Sequence, residues 1–387
     1  MEQVIATERI PIKMWLDDLE EGALEQAKNL ANVPFAFKHI AIMPDSHQGY
    51  GMPIGGVLAT QGAIIPNAVG VDIGCGMCAV RTNLTFVDED ALKQIMGVIR
   101  KTVPVGFNHH NEKQDETWMP ELDADHSYDI IEHQYEKART QVGTLGGGNH
   151  FIELQKGSDD YIWIMIHSGS RNLGFTVAKH YNELAQKMNK KWFSSVPKDL
   201  AFFPTDSEEY FNYFAEMSYC TEFALANRML MMERVKNAFL ECLGPEVEFP
   251  EFINKPHNFA AWENHYNQNV IVHRKGATRA REGELGMIPG SQGSKSYIVK
   301  GKGEDLSFHS CSHGAGRKMS RTEARNTLDI AAEKAHLEKM GVIHAIRSKN
   351  DLDEAPSSYK DIDVVMSNQT DLVEIVTELT PLAVIKG

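Results

Sequence analysis

The feature that most limits how this chain can fold is the spread of its glycine-rich loops. Loops carrying His, Cys or Asp recur from Pro44 to Gly316, many of them beside short apolar runs. Chemistry scattered so widely must be gathered by one large fold, so a single unit over residues 1–387 is expected rather than an active domain with an appendage. The length is sufficient to bury a substantial core. "YIWIMIHSGS" reads as a buried strand over Tyr161–Ile166, with His167 where the run ends. "NHFIEL" and "NVIVHRKG" read the same way. The stretch from "EEYFNYF" to "LECLG" repeats apolar residues at three- and four-residue steps. It is expected as one long helix or two in series, with Gly244 as the stop. "SRTEARNTL" has a helix start, with Ser320 as N-cap and Glu323 three residues on. The polar, histidine-bearing segment 101–141 is expected to be an irregular surface excursion.

Hydrophobic residues make up 42% and charged residues 24% of the chain, an ordinary soluble composition. The opening "MEQVIATERIPIKMW" carries charges and no apolar core, so no secretory signal is expected there. No apolar run approaches bilayer length. Five cysteines are few and odd in number. A disulfide scaffold is therefore not expected, and a reducing cytoplasm is the expected location. The net charge of −14 argues against indiscriminate coating of nucleic acid, though not against a local basic groove. "HRKGATRAR" holds Arg274, Lys275, Arg279 and Arg281 with no acid among them. It reads as a candidate track for a phosphodiester backbone, the plainer alternative being a solvated loop.

The densest chemistry is "VGVDIGCGMC", Val69–Cys78. A disulfide, a zinc knuckle, a redox pair and part of a catalytic metal site are all open to Asp72, Cys75 and Cys78 at this spacing. A knuckle needs a second ligand pair, which Cys220, Cys242 and Cys311 do not offer; the first two fall in the helical stretch as small core residues. Cys78 leads into apolar sequence and reads equally as core. Asp72 and Cys75 lie three apart in a glycine-rich turn, where an oxygen and a thiolate can converge on one cation. Three histidines in loop contexts can join them: His150 after three glycines and Asn149, His167 at a strand end with Arg171 four residues on, and His257 just after Pro256. One Asp, one Cys and three His exceed a four-coordinate site with an open position. They suit two cations sharing a bridging thiolate. In "SCSHGAGRKMSR", His313 stands among small residues before Arg317, Lys318 and Arg321. A neutral imidazole there can attack phosphorus to give a phosphoramidate, or can merely close a turn.

Together these segments resemble the RNA-splicing ligase RtcB family. "MPDSHQGYGMPIGG", "GAIIPNAVGVDIGCGM", "VGTLGGGNHFIEL", "IHSGSRNLG", "HRKGATRA", "IPGSQGSKSYIV", "CSHGAGRKMSR", "SYKDID" and the terminal "VIKG" run in order across nearly the whole chain. The resemblance implies an α/β (α+β) fold with the active site between β-sheets. It implies a GTP- and Mn²⁺-dependent ligase joining RNA 3′-phosphate or 2′,3′-cyclic phosphate ends to 5′-hydroxyl ends, in RNA repair or tRNA splicing. Asp72, Cys75 and His150 are then ligands of one Mn²⁺, and Cys75 bridges to a second held with His167 and His257. His313 becomes the nucleophile that takes GMP. Asn149, Glu153, Ser291, Ser296, Tyr359 and Lys386 surround the nucleotide, while Arg171 and Arg317 serve phosphates. The expected partners are such RNA ends, GTP and, where needed, an accessory activating protein, with no membrane; a monomer or weak dimer is expected. Cys78 departs from the pattern, as do Lys255-Pro256 before His257 and Gln292 in "PGSQGS". Two other classes compete: a metal-dependent phosphohydrolase with no covalent nucleotide, and a non-catalytic RNA-binding module with a structural metal.

Overall fold

Apolar alternation and long apolar runs sort the chain into two large sheets. The computed structural model describes residue 1 and residues 3–387. A six-stranded sheet has the order Gln3–Ile5, Ile12–Met14, Ala36–Tyr50, Met52–Thr60, Gln268–Lys275, Asn258–His265. A seven-stranded sheet has the order Glu251–Pro256, Gly76–Arg81, Ile162–Ser168, Phe151–Gly157, Val373–Lys386, Ser296–Gly301, Leu285–Ile288. Ladders within both are antiparallel, except that Ile12–Met14 runs parallel to Ala36–Tyr50. With its flanking helices the architecture is the expected α/β (α+β) class. The strand expected at Tyr161–Ile166 occupies Ile162–Ser168 and carries His167 inside its end.

The sheets meet where the chain passes from Pro256, the last residue of one strand, through His257 to Asn258, the first residue of the next. Ser310–Ser312 pairs with Ala277–Arg279 just beyond, and delivers His313 to the same junction. Topology alone therefore places the histidines of four distant segments together.

A single helix, Glu208–Leu243, braces this junction. Ser207 caps its start by accepting from the Tyr210 amide, and Gly244 ends it with φ near 98°, a left-handed value that a side chain resists. Its buried face carries Asn227 and Arg228. The Asn227 side-chain oxygen accepts from the Gly143 and Thr144 amides, and its amide group donates to Ser168 Oγ and the Gly169 carbonyl. Arg228 donates to the Gly74 and Ser168 carbonyls and to Asn254. One helical turn thus fastens three functional loops by hydrogen bonds with no solvent to compete. Gly74 lies so close that a Cβ there would sit 2.7 Å from Thr221 Cα, which is why the loop needs glycine at that point.

Segment 101–141 is only partly the irregular excursion expected. Residues 103–128 are irregular apart from a short turn at Glu116–Trp118, but Asp129–Gln141 is a helix whose Ile131 and Ala138 enter the core. The apolar spacing there is sparse, and packing on the helix Arg171–Lys191 supplies what the sequence signal lacks.

Candidate active site

Five side chains converge at the sheet junction around one sulfur. Cys75 Sγ lies 3.4 Å from His150 Nε2 and 3.3 Å from His167 Nε2. Asp72 Oδ2 is 3.2 Å from His150 Nε2, and His257 Nε2 is 3.4 Å from His167 Nε2. The donors therefore form one chain of close contacts, Asp72–His150–Cys75–His167–His257, at whose centre the ligand atoms of Cys75, His150 and His167 all lie within 4.8 Å of one another. Adjacent ligands of a tetrahedral ion with bonds of 2.0–2.3 Å lie about 3.3–3.7 Å apart. The observed spacings are of that size, so the donor set fits a bound metal ion.

Protonation follows the same logic. Burial, with positive neighbours adding to it, keeps His167 and His257 well below the usual imidazole range, so both stay neutral and keep lone pairs. His167 Nδ1 donates to the Asn149 carbonyl, which leaves Nε2 as the ligand nitrogen. Nδ1 of His150 and of His257 are buried without a hydrogen-bond partner among the described residues. Burial raises the Cys75 thiol, and the Asp72 carboxylate raises it further. A thiolate at this depth needs a cation to neutralise it.

Beside this cluster the His313 ring sits 4.8 Å, centroid to centroid, from that of His257. Asp45, which the residue-by-residue reading passed over, lies beneath it fully buried. Its Oδ2 is 2.6 Å from His313 Nδ1 and accepts from the His313 and Gly314 amides at 3.1 Å each. Burial pushes the Asp45 carboxyl up, but the imidazole outweighs that and holds it below the usual range. The contact at Nδ1 has the distance of an ion pair but not the angle of a hydrogen bond, and it leaves Nε2 as the nitrogen not facing Asp45. The only sequence signal for Asp45 was its place in "MPDSHQGYGMPIGG".

His313 also lines a cleft with Asn149, Glu153, Ser291, Arg317, Tyr359 and Lys386. Glu354, another residue not anticipated, links three of these. It contacts Lys386 Nζ and Arg317 Nη1 at 3.3 Å each and accepts from the Tyr359 hydroxyl. Burial raises Glu354, but these cations, Lys386 foremost, bring it below its ordinary value. Glu153 accepts from the Gln155 side-chain amide and feels Lys386, but burial outweighs both and pushes it up to about 8. Ser296 does not reach the cleft wall; it is buried behind it, accepting from the Gly290 amide. Arg171 stands beside the cluster in a second cleft with Asp72 and His150, which adjoins the first through Arg321, Glu354 and Lys386, and is held by the Gly106 carbonyl and Thr144 Oγ1.

The basic run is not an exposed track. Arg274 is fully buried, paired with Glu263 and bonded to Ser310 Oγ and the Phe308 carbonyl. Lys275 is buried against the Tyr50 and Asn67 carbonyls, and burial brings it down to about 7. Arg279 is paired with Glu284, so only Arg281 is exposed. The acids that neutralise the run come from other positions on the strands, which the local sequence does not reveal. Cys78 is a free, fully buried thiol in the apolar core, and its departure from the pattern is a matter of packing.

No helix among the described residues is long and apolar enough to cross a membrane. The family described as tRNA-splicing ligase RtcB matches residues 26–387. RNA-splicing ligase RtcB of Escherichia coli K12 is 40% identical over 408 aligned positions, covering 100% of this chain and 99% of the relative. RNA-splicing ligase RtcB1 of a second Escherichia coli strain gives the same identity and coverage. tRNA-splicing ligase RtcB of Nanoarchaeum equitans is 33% identical, covering 98% of this chain and 95% of its own. With full-length likeness of this kind joined to a donor cluster and an adjacent buried Asp–His pair, the chain belongs to the RtcB family of RNA ligases.

Proposed function

We propose that this protein joins RNA 3′-phosphate or 2′,3′-cyclic phosphate ends to 5′-hydroxyl ends, using GTP and two Mn²⁺ ions through a guanylate carried on His313. The observation that carries this reading is the placement of His313 between the Cys75 donor cluster and the cleft of Glu153, Tyr359 and Lys386. Asp72, Cys75 and His150 would hold one cation, and Cys75, His167 and His257 the other. When bound, these cations supply positive charge for crowded anionic phosphates that an acidic chain cannot supply alone.

Asp45 keeps the Nδ1 proton of His313 in place and leaves the Nε2 lone pair toward the cleft. Nε2 attacks the α-phosphorus of GTP; a P–N bond forms, a P–O bond breaks, and pyrophosphate leaves. Asp45 then balances the charge left on the ring. Lys386 and Tyr359 position the nucleotide, with Asn149, Glu153 and Ser291 along the same wall. Ser296 acts by holding the Gly290 turn. Cyclic ends are first hydrolysed to the 3′-phosphate. The 3′-phosphate takes the guanylate from His313, the 5′-hydroxyl attacks, and GMP departs as the 3′,5′ bond forms. Arg171, in the adjoining cleft with Asp72 and His150, meets the RNA phosphates.

The competing phosphohydrolase uses the donor cluster but has no need of His313 or Lys386. Incubation with α-labelled GTP and Mn²⁺ separates the two. A label that survives a denaturing gel, is lost in acid and is absent in His313→Ala supports the ligase. An unlabelled but folded protein that still hydrolyses phosphodiesters refutes it.

A further inference from the structure

Roughly 25 Å along the strand from His257, a second group of donors surrounds the tip of the hairpin between Asn258–His265 and Gln268–Lys275. His265, Asp305 and His309 each offer a ligand atom, and these atoms all lie within 4.8 Å of one another. We propose that they form a separate site for a divalent transition cation of the zinc type.

The chemistry of each member supports this. The His265 side chain is 1% exposed, and its Nε2 is 3.0 Å from Glu263 Oε2. Glu263 is fixed in turn by Arg274 and is held well below the ordinary carboxylate range despite its burial. A carboxylate that takes the Nε2 proton leaves a lone pair on Nδ1, the arrangement that orients metal-ligating histidines. Among the described residues, Nδ1 of His265 takes part in no hydrogen bond. His309 Nε2 is hydrogen-bonded to Asp305 Oδ1 at 2.9 Å, so a cation would replace the shared proton and the exposed Asp305 carboxylate would open by about half an ångström to reach ligand spacing. The two imidazole rings are 4.7 Å apart, centroid to centroid. Two imidazoles and a carboxylate, with solvent reaching Asp305, make a three-ligand site with an open position, and nitrogen-rich donors of this kind select zinc over magnesium or calcium.

The backbone agrees. Phe308 and His309 both have φ near 51°, consecutive left-handed values rare for residues with side chains. Phe308 is fully buried, stacked on His39, and its carbonyl accepts from Arg274. That anchorage is what aims His309 at His265. Ser310–Ser312 follows directly and ends at His313, so a cation here would clip the hairpin tip to the strand that carries the proposed nucleophile.

The test uses the full-length protein, stripped with chelator and dialysed against zinc chloride, with metal per chain read by mass spectrometry. The parent should hold one more zinc than His309→Gln, and Asp305→Asn should hold the same equivalent roughly tenfold more weakly. Asp305 is largely solvent-exposed, and circular dichroism matching the parent checks both folds. Cobalt(II) in place of zinc separates this site from the Cys75 cluster. The equivalent lost in His309→Gln should add ligand-field absorption but no thiolate-to-cobalt band. Equal metal per chain in the parent and in folded His309→Gln, or loss of the thiolate band together with the missing equivalent, overturns the proposal.

Discussion

Asp45→Asn tests the proposed role of the buried carboxylate most directly. Oδ2 of Asp45 contacts His313 Nδ1 and accepts from two backbone amides, so an asparagine oxygen can occupy the same position. Geometry and tautomer are then kept and only the charge is removed. In the transition state for guanylate transfer the imidazole becomes cationic. With centres of charge about 4 Å apart and an effective dielectric constant near 20, the lost attraction is about 4 kcal/mol. At about 1.4 kcal/mol per factor of ten, guanylylation should slow by about 10³-fold. The new amide nitrogen would fall where the other carboxylate oxygen is buried without a partner, so stability should also fall by about 1–3 kcal/mol. Single-turnover labelling with α-labelled GTP and Mn²⁺ measures the first effect, and thermal unfolding the second. A folded Asp45→Asn that labels within about threefold of the parent would refute the assignment of Asp45 as the partner of a reacting imidazole.

Three further outcomes follow from the same site. Burial raises Glu153 to about 8, so at neutral pH its carboxyl carries a proton. A guanine edge offering N–H donors prefers the ionised form; GTP binding should therefore release a proton near pH 7 and tighten as pH rises toward 8. Calorimetry in buffers of different ionisation enthalpy measures this, and Glu153→Gln should show no such release. Cys78 is fully buried, with its thiol raised to about 12 by that burial, so it should resist alkylation in the native state while the partly exposed Cys242 reacts; peptide mapping after iodoacetamide treatment decides. Thiolate and imidazole ligands favour zinc over manganese, so zinc should bind tightly and inhibit; equal ligation rates with the two ions would contradict that.

That the donor residues would be brought together was legible because they sit in loops of unusual composition: three glycines before Asn149 and His150, a glycine on either side of Cys75. The long helix was legible from its apolar spacing and Gly244. Its role was not. Arg228 reads in sequence as one more polar position on a helix, and only the approach of the Gly74 and Ser168 carbonyls turns it into the clasp of the loop that carries Asp72 and Cys75. Glu354 was equally silent, because its three partners come from Arg317, Tyr359 and Lys386. The basic run misled for the same reason in reverse. Arg274 has no acid among its sequence neighbours, but Glu263, eleven positions back on the adjacent strand, meets it across the hairpin. Local sequence reports what a residue can do chemically. Strand pairing decides whom it meets.

That distinction bears on why the donor cluster is braced so heavily. Four of the five donors are buried and Asp72 is partly so, successive neighbours lie 3.2–3.4 Å apart, and two imidazole nitrogens have no partner among the described residues. Such an arrangement is costly to fold, since each unpaired buried polar atom forfeits its hydration. Asn227 and Arg228 offset this by hydrogen-bonding the loops from behind, so the donors are pre-positioned before any ion arrives. An ion entering this cluster has little chain to order, and most of its binding energy is left for holding the site and the phosphates it meets. The bracing helix residues would therefore contribute to the ion affinity of the proposed site, although they touch only the loops behind the donors.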